Sequence, residues 1–523
     1  MGRARSWWGW GWADAAVQDE ELAALAVRIR ALMPLDGELT PIPELSDLAL
    51  AEPAVRPSAA EAHLCTVDTE ARVSHTYGKA FRDVVRALRG DFAAAPDLVA
   101  YPTTEKDVAA LLDWASAEGV AVVPFGGGTS VVGGVECRDR SRPVLSLDLR
   151  RLSGVLEVDD VSLVARIRAG TEGPSIADSL RPYGLTLRHY PQSYEFSTLG
   201  GWIATRAGGH YATGPTHIDD LVQAVRAVTP VGVAQSARVP ASAAGPAPDR
   251  LWLGSEGILG VITEAWVRVQ RVPQTMPKTA IRFDNYDDAV VATRAIVQSG
   301  LRPANCRLLD PLEAMIGAGV TDGSCRLLLS FESARLDPGS DMRAAIGICA
   351  EHGGRPDERS ADATDGRGGG VSSIGAWTDT FIRAPYLRDA LVRLGVVVET
   401  FETACTWSAY PDLRAAVVDA VVSGGGVVSS RFTHVYPDGP APYFTVYTAS
   451  RRGGEIETWD ALKVLTSDAI VSHGGTITHH HAVGRDHRPW YDRERPEPFA
   501  LALRAAKRAL DPAGVLNPGV LVE

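Results

Sequence analysis

The sequence predicts an α+β protein of more than one folding unit, and three observations support that reading. Residues 97–128 read as a strand, an N-capped helix, a second strand and a run of glycines. Two further glycine-rich turns follow, so that three lie within about 140 residues of sequence. From about residue 279 a fresh series of strand, helix and strand begins. A length of 523 residues allows roughly two to four units of ~100–200 residues, each with its own core.

The balance of 52 Lys+Arg against 64 Asp+Glu leaves a net charge of −12. That argues against nucleic acid as a partner, because its phosphates are normally met by a basic stripe. Local basic pockets for small anions stay open. Hydrophobic residues at 45% and charged ones at 22% fit a soluble globular chain. The longest stretch without Asp, Glu, Lys or Arg is 119–135, 17 residues that include six glycines and Pro124. A spanning helix needs ~20 mostly apolar residues, so no transmembrane segment is expected. No continuous apolar run follows the first arginines before Asp14, so no secretory signal is expected either. The six cysteines include no CxxC pair and are too sparse for a disulfide framework, which points to a reducing, cytoplasmic setting.

Taken in order, residues 1–93 combine a Trp-rich start (Trp7, Trp8, Trp10, Trp12) with a helix over 18–33, where Leu22, Leu25, Ala26 and Ile29 keep a helical period. Pro41, Pro43, Pro53 and Pro57 then break regularity. Thr104 precedes Glu105, Asp107 and an apolar period, as a helix start should. The β-branched run 120–123 places the first glycines just past a strand end. Further strands are predicted at 144–147, 163–167 and 261–269, with 231–250 as an Ala/Pro/Gly-rich hairpin loop. After residue 279 come strand, helix, strand and another strand at CRLLLSFES. Residues 357–370 (DERSADATDGRGGG) read as a mobile surface loop. The segments HGGTITHHHAVGRDHRPWY and ALDPAGVLNPGVL close a chain without internal repeats, and the divisions predicted are 1–93, 94–273, 274–470 and 471–523.

The first glycine turn is PFGGGTSVVGG at 124–134. Consecutive glycines after a strand let backbone N–H groups approach a phosphate, since no Cβ intervenes and positive φ is free. GxGxxG fails at Val131, and the Walker pattern fails at Gly134, which stands where its lysine should be. Alone, the turn reads equally well as a tight connection between strands. The second turn, QSYEFSTLGGWIATRAGG at 192–209, and the third, GSEGILGVITE at 254–264, change that balance. Three such turns suit one long ligand with phosphates at its middle, such as a pyrophosphate-bridged dinucleotide.

The order PxGGGTS, EFSTxGGWxxTRA, GSEGxLGVITE resembles the FAD-binding domain of the vanillyl-alcohol-oxidase (PCMH-type) flavoproteins. EFSTLGGW, the FET of 401–403 and the triple histidine of THHHAVG bring the resemblance closest to the alkylglycerone-phosphate synthases, over nearly the whole chain. It implies a two-subdomain PCMH-type FAD-binding domain at 94–273 and an α+β cap (substrate) domain with an antiparallel sheet at 274–470. The segment 471–523 would then return to the flavin site. The resemblance carries cofactor contacts onto Pro124, Phe125, Gly126, Gly127, Gly128, Thr129 and Ser130 in the first turn. In the second turn they fall on Gln192, Ser193, Tyr194, Glu195, Phe196, Ser197, Thr198, Thr205, Arg206, Ala207 and Gly208. The third contributes Glu256, Gly257, Ile258, Leu259, Gly260, Val261 and Ile262. One departure is Gln192, where the family pattern has an acidic residue, and it is expected to alter a local hydrogen bond.

His479, His480 and His481 follow a Gly-Gly-Thr turn into a strand-like run, on which His479 and His481 would share a face. Imidazoles suit phosphate binding or proton transfer near pH 7; a metal site and a merely structural cluster are the rival readings. Tyr443 in APYFTVYT alternates with Thr445 and Tyr447 on a presumptive strand face, which alone describes a packed aromatic. The resemblance makes the three histidines active-site residues and Tyr443 the proton acceptor or donor. With a reference pKa of about 10, a basic phenol would need positive charge or histidine beside it. It also makes Arg388 and Arg307 substrate-binding, a role guanidinium suits because it pairs with phosphate or carboxylate through two donors. A surface ion pair is the plain alternative for each arginine. No metal ligand is assigned.

The activity implied is that of an FAD-dependent alkylglycerone-phosphate synthase, which exchanges the acyl group of acyl-dihydroxyacetone phosphate for a fatty alcohol in ether-lipid synthesis, without net redox change. The ending DPAGVLNPGVL also resembles FAD-linked oxidoreductases of 2-hydroxy acids or related alcohols, which is the alternative. FAD is expected to be noncovalent, because neither PFGGGTS nor the region of Cys405 offers an attachment residue. Partners are expected to be small-molecule lipids or hydroxy acids, with a homodimer and peripheral membrane contact left open, and the location cytoplasmic.

Overall fold

The computed structural model describes residues 3–522 apart from 31–32, 34, 36–37 and 358–372. The loop expected at 357–370 therefore falls, but for Asp357, outside the described residues. Among the described residues no helix is long and apolar enough to cross a membrane.

The run from residue 97 folds as its pattern predicts. Strand Leu98–Ala100 leads into helix Glu105–Glu118, and strand Ala121–Phe125 follows. Thr104 caps the helix by accepting from the Asp107 amide, while the Asp107 carboxylate accepts from the Thr104 amide. This reciprocal pairing satisfies two N–H groups that helix geometry leaves free. These strands join Val144–Asp148 and Cys65–Thr66 in a four-stranded sheet with parallel neighbours at its centre. A five-stranded antiparallel sheet follows, in the order Val155–Asp159, Val164–Arg168, Val261–Arg268, Val222–Thr229, Gly232–Gln235. The expected loop at 231–250 is thus partly strand. Thr229 pairs with Gly232 across a tight turn, and the loop runs from Ser236 to Ala247, before a short 3-10 helix at Pro248–Leu251.

The later section forms a seven-stranded, wholly antiparallel sheet. Its central strand is Asn305–Leu309; to one side Val427–Val435 pairs with Pro440–Ala449, and Val396–Glu402 forms the edge beyond them. Alternation puts Tyr443, Thr445 and Tyr447 on one face. The N-terminal segment packs on this sheet: Leu22 and Ala26 meet Leu391, Leu394 and Val396, while Phe81 and Val84 meet Phe401 and Phe444. The C-terminal end returns to the four-stranded sheet, where the Asn517 amide donates to the Val122 carbonyl.

Candidate active site

The three glycine turns converge. A Cβ on Gly127 would lie 1.9 Å from the Phe196 carbonyl oxygen, so the first turn can touch the second only as bare backbone. Gly257, at φ +76°, sits against the Pro124 ring and brings in the third. The Asn517 side chain then donates to the carbonyls of Gly134 and Glu256, tying the first and third turns to the C-terminal segment. Together they line one cavity of about 380 Å³ that runs on beneath the seven-stranded sheet. A lining that combines glycine and small hydroxyl groups with arginines, histidines and aromatics suits a ligand that carries both phosphates and rings. A carboxylate there is Glu256, which accepts from the Val483 and Gly484 amides; burial nevertheless pushes its pKa up to about 7.

Several residues expected to touch the cofactor do not reach this cavity. Tyr194 stacks on Trp202 and donates to the Gly173 carbonyl. Glu195 accepts from the Trp12 indole, and the Phe196 ring packs between Trp10, Trp12 and Arg5. Arg206 adopts positive φ and turns outward to pair with Asp219. Ile258, Leu259 and Val261 are fully buried core residues. The reason is shared: consecutive residues of a turn cannot all face one side, and apolar ones go to the core. The other expected positions in the three turns, Gln192 included, line the cavity. The Gln192 amide donates to the carbonyl of Phe381 at 2.9 Å. That carbonyl lacks a helical partner because Pro385, four residues on in helix Ser373–Arg393, has no N–H. An ionised carboxylate at position 192 could not make this bond.

The triple histidine is not a strand. Residues 479–481 bend around the buried carboxylate of Glu402, which accepts from the backbone N–H of His479, His480 and His481 and from the Thr478 hydroxyl. The bend sends His480 and His481 into the cavity with Tyr443, and turns His479 away to Tyr436, whose hydroxyl lies 2.8 Å from its Nε2. The expected pairing of His479 with His481 on one face is therefore replaced by His480 with His481. Burial opposes ionisation of Glu402, but the surrounding histidines and the Thr478 hydroxyl outweigh it and hold the carboxyl well below its usual range. Burial works the same way on the imidazoles, pushing His480 down to about 3 and lowering His479 and His481, so all three are neutral at pH 7.

Tyr443 lies under the Arg431 guanidinium, 4.0 Å from the ring centre, with His480 stacked beside it and His481 edge-on. Burial raises the phenol pKa and Arg431 opposes that rise. Arg431 is itself paired with Glu313 at 2.6 Å. Arg307 is buried over Trp377; among the described residues its Nε and Nη1 have no partner, and only Nη2 donates, to the His210 carbonyl. Burial brings its pKa down to about 9, with Arg431 adding to the effect. A guanidinium held this way is a ready partner for an anion. Arg388 lines the same cavity, bound to Asp389 and to the Lys79 carbonyl.

Glu402, Arg431, Glu313 and His434 also belong to this site and were not anticipated from the sequence. Glu402 stands inside the FET motif, which was a usable signal. His434, His479 and His480 bring one potential ligand atom each within 4.8 Å of the others. At least one nitrogen of each is already engaged: with the Gly209 carbonyl for His434, with Tyr436 for His479, and with each other for His479 and His480.

The sequence matches the family described as FAD binding domain over residues 96–238 and the C-terminal domain of FAD linked oxidases over 272–521. It is 30% identical to the alkyldihydroxyacetonephosphate synthase of Dictyostelium discoideum, over 87% of this chain and 78% of that protein. The synthase of Trypanosoma brucei brucei is 29% identical over the same shares. The glycolate oxidase subunit GlcD of Bacillus subtilis is more distant, at 26% over 82% of this chain and 89% of its own. Among solved structures, an alkyldihydroxyacetonephosphate synthase superposes with a TM-score of 0.80 at 26% identity, covering 98% of both chains. p-Cresol methylhydroxylase, at 0.69 and 14% identity over 97% of both, shares the fold.

Proposed function

Because the chain belongs to the alkyldihydroxyacetonephosphate synthases, a family of FAD-dependent enzymes, we propose that it replaces the fatty acyl group of acyl-dihydroxyacetone phosphate with a fatty alcohol, releasing the fatty acid. The observation that carries the reading is a single cavity holding the three turns, Tyr443, His480, His481 and the guanidinium of Arg307, whose Nε and Nη1 have no partner among the described residues.

The bare backbone of Gly126, Gly127 and Gly128, the hydroxyls of Thr129, Ser130 and Thr198, and the third turn would hold the FAD diphosphate. When bound, FAD supplies an electron-poor ring system that draws electron density from a substrate carbon without net redox. Arg307 and Arg388 grip the substrate phosphate, which fixes the reacting carbon against Tyr443. Tyr443 takes the proton from that carbon. Burial keeps the free phenol protonated, so Tyr443 first passes its own proton to an adjacent neutral imidazole, and Arg431 overhead favours the phenolate so formed. His480 and His481, uncharged at neutral pH, can accept a proton from the incoming alcohol. Glu402 keeps both rings aimed.

FAD is held without a covalent bond, and the enzyme is cytoplasmic with peripheral access to membranes, as its lipid substrates require. The FAD linked oxidases match favours a second reading, oxidation of a 2-hydroxy acid, with the same arginines on its carboxylate. Incubation with acyl-dihydroxyacetone phosphate and isotope-labelled fatty alcohol separates the two. Label in a phosphorylated ether, with one fatty acid released per ether formed, supports the synthase. Fatty-acid release without label in any ether contradicts it.

A further inference from the structure

The Trp-rich start of the chain has no part in the chemistry above, yet it ends at the cavity wall. The Trp10 backbone N–H donates to Oδ2 of Asp389 at 2.5 Å, and the Trp12 N–H donates to the Tyr386 hydroxyl at 3.1 Å. Both acceptors stand on helix Ser373–Arg393, next to Arg388. The approach is too close for side chains: a Cβ on Gly9 would lie 2.7 Å from Asp389, and one on Gly11, at φ +62°, 2.1 Å from the Tyr386 oxygen. Arg5 reaches the other way, donating to the Gly127 carbonyl of the first turn.

Asp389 is 4% exposed and divides its two oxygens. Oδ2 takes the Trp10 amide, while Oδ1 takes Nε of Arg388 at 3.0 Å and Nη2 at 2.7 Å. The third bond of this guanidinium, from Nη1, goes to the Lys79 carbonyl, and the Lys79 amide donates to the Ser130 carbonyl in the first turn. Arg388 is therefore fixed from two sides, and among the described residues one N–H on each Nη has no partner and is left for a ligand.

We propose that Asp389, braced by residues 6–12, is a positioning residue that orients the Arg388 guanidinium for the phosphate of the substrate. The proposal rests on the reading of Arg388 as a phosphate-binding residue. Releasing the carboxylate lets the guanidinium swing among its rotamers, so the loss falls on substrate binding and not on the chemical step.

Steady-state kinetics with acyl-dihydroxyacetone phosphate on Asp389→Asn, Arg388→Ala and the double variant test this. Asp389→Asn should raise KM about tenfold with kcat changed less than about threefold. Flavin absorbance should be kept, and the double variant should match Arg388→Ala. An unchanged KM in Asp389→Asn beside a raised KM in Arg388→Ala overturns this proposal and leaves the function standing. Additive losses in the double variant overturn it as well. An unchanged KM in Arg388→Ala removes that arginine from substrate binding and the proposal with it. Should Asp389→Asn fold poorly, Tyr386→Phe releases the same brace: a KM rise of about threefold supports the proposal, and an unchanged KM contradicts it.

Discussion

Replacing Glu402 by glutamine removes a charge that the fold has surrounded with donors. In the native chain its two oxygens accept from three consecutive backbone N–H groups and a hydroxyl. Glutamine keeps one acceptor oxygen and turns an NH2 group toward the other two donors, which burial then leaves unpaired. Hydrogen bonds to a charged acceptor contribute about 1.5–3 kcal/mol each, so the two lost bonds should cost about 3–6 kcal/mol. That is a large part of the ~5–15 kcal/mol by which folded domains are stable. Denaturant unfolding of the FAD-loaded protein, followed by tryptophan fluorescence, measures the loss directly. Because the bend aims His480 and His481, kcat should also fall, by about a hundredfold for a displacement of ~1 Å. The folded carboxyl is held well below its ordinary value, so its contribution is complete above about pH 4.5 and disappears only as pH falls toward the lowered value. The variant should therefore lose its disadvantage in strong acid. Stability within about 0.5 kcal/mol of the native protein at pH 7, with full turnover, would show that the Glu402 charge neither holds nor aims the bend.

Tyr443→Phe and His481→Ala should each lower turnover by about a hundredfold or more while the flavin spectrum is retained; full activity in either removes that residue from the mechanism. Glu256 carries its proton up to about pH 7 in the fold but only to about 4.5 when unfolded, so its buried neutral form adds stability that declines as pH rises between those values. Glu256→Gln should consequently flatten the stability profile between pH 5 and 8 by up to about 3 kcal/mol, as read from unfolding midpoints; parallel profiles for the two proteins would contradict this. Gln192→Glu should weaken the link to helix Ser373–Arg393 by about 1 kcal/mol, seen as a lower unfolding midpoint at pH 8; an unchanged midpoint would show that the bond to Phe381 contributes nothing. Acid precipitation should leave the yellow colour in the supernatant, and a yellow pellet would demonstrate a covalent flavin.

The glycine turns were legible because a backbone requirement shows itself as composition: where Gly127 meets the Phe196 carbonyl, no other residue fits. The capped helix after Thr104 and the strand face of Tyr443 were legible because helical and strand periods are local. The histidine bend was not. Its cause is a carboxylate 77 residues earlier, and a run of three histidines resembles a strand until that acceptor is in place. Arg206 misled for the matching reason, since its partner Asp219 lies outside the motif and draws it to the surface. Gln192 shows the same limit at greater distance, because the free carbonyl it meets exists only through Pro385 on another element.

The two readings of this cavity differ in whether its flavin serves group exchange or net oxidation, and the site favours group exchange. Anaerobic spectroscopy of the yellow protein, mixed in turn with acyl-dihydroxyacetone phosphate plus fatty alcohol and with a panel of 2-hydroxy acids, addresses it most directly. The expected result is fatty-acid release with the flavin oxidised at the end of the first reaction, and no bleaching by any hydroxy acid. Lasting bleaching by a hydroxy acid, with no fatty acid released from the lipid substrate, would contradict it.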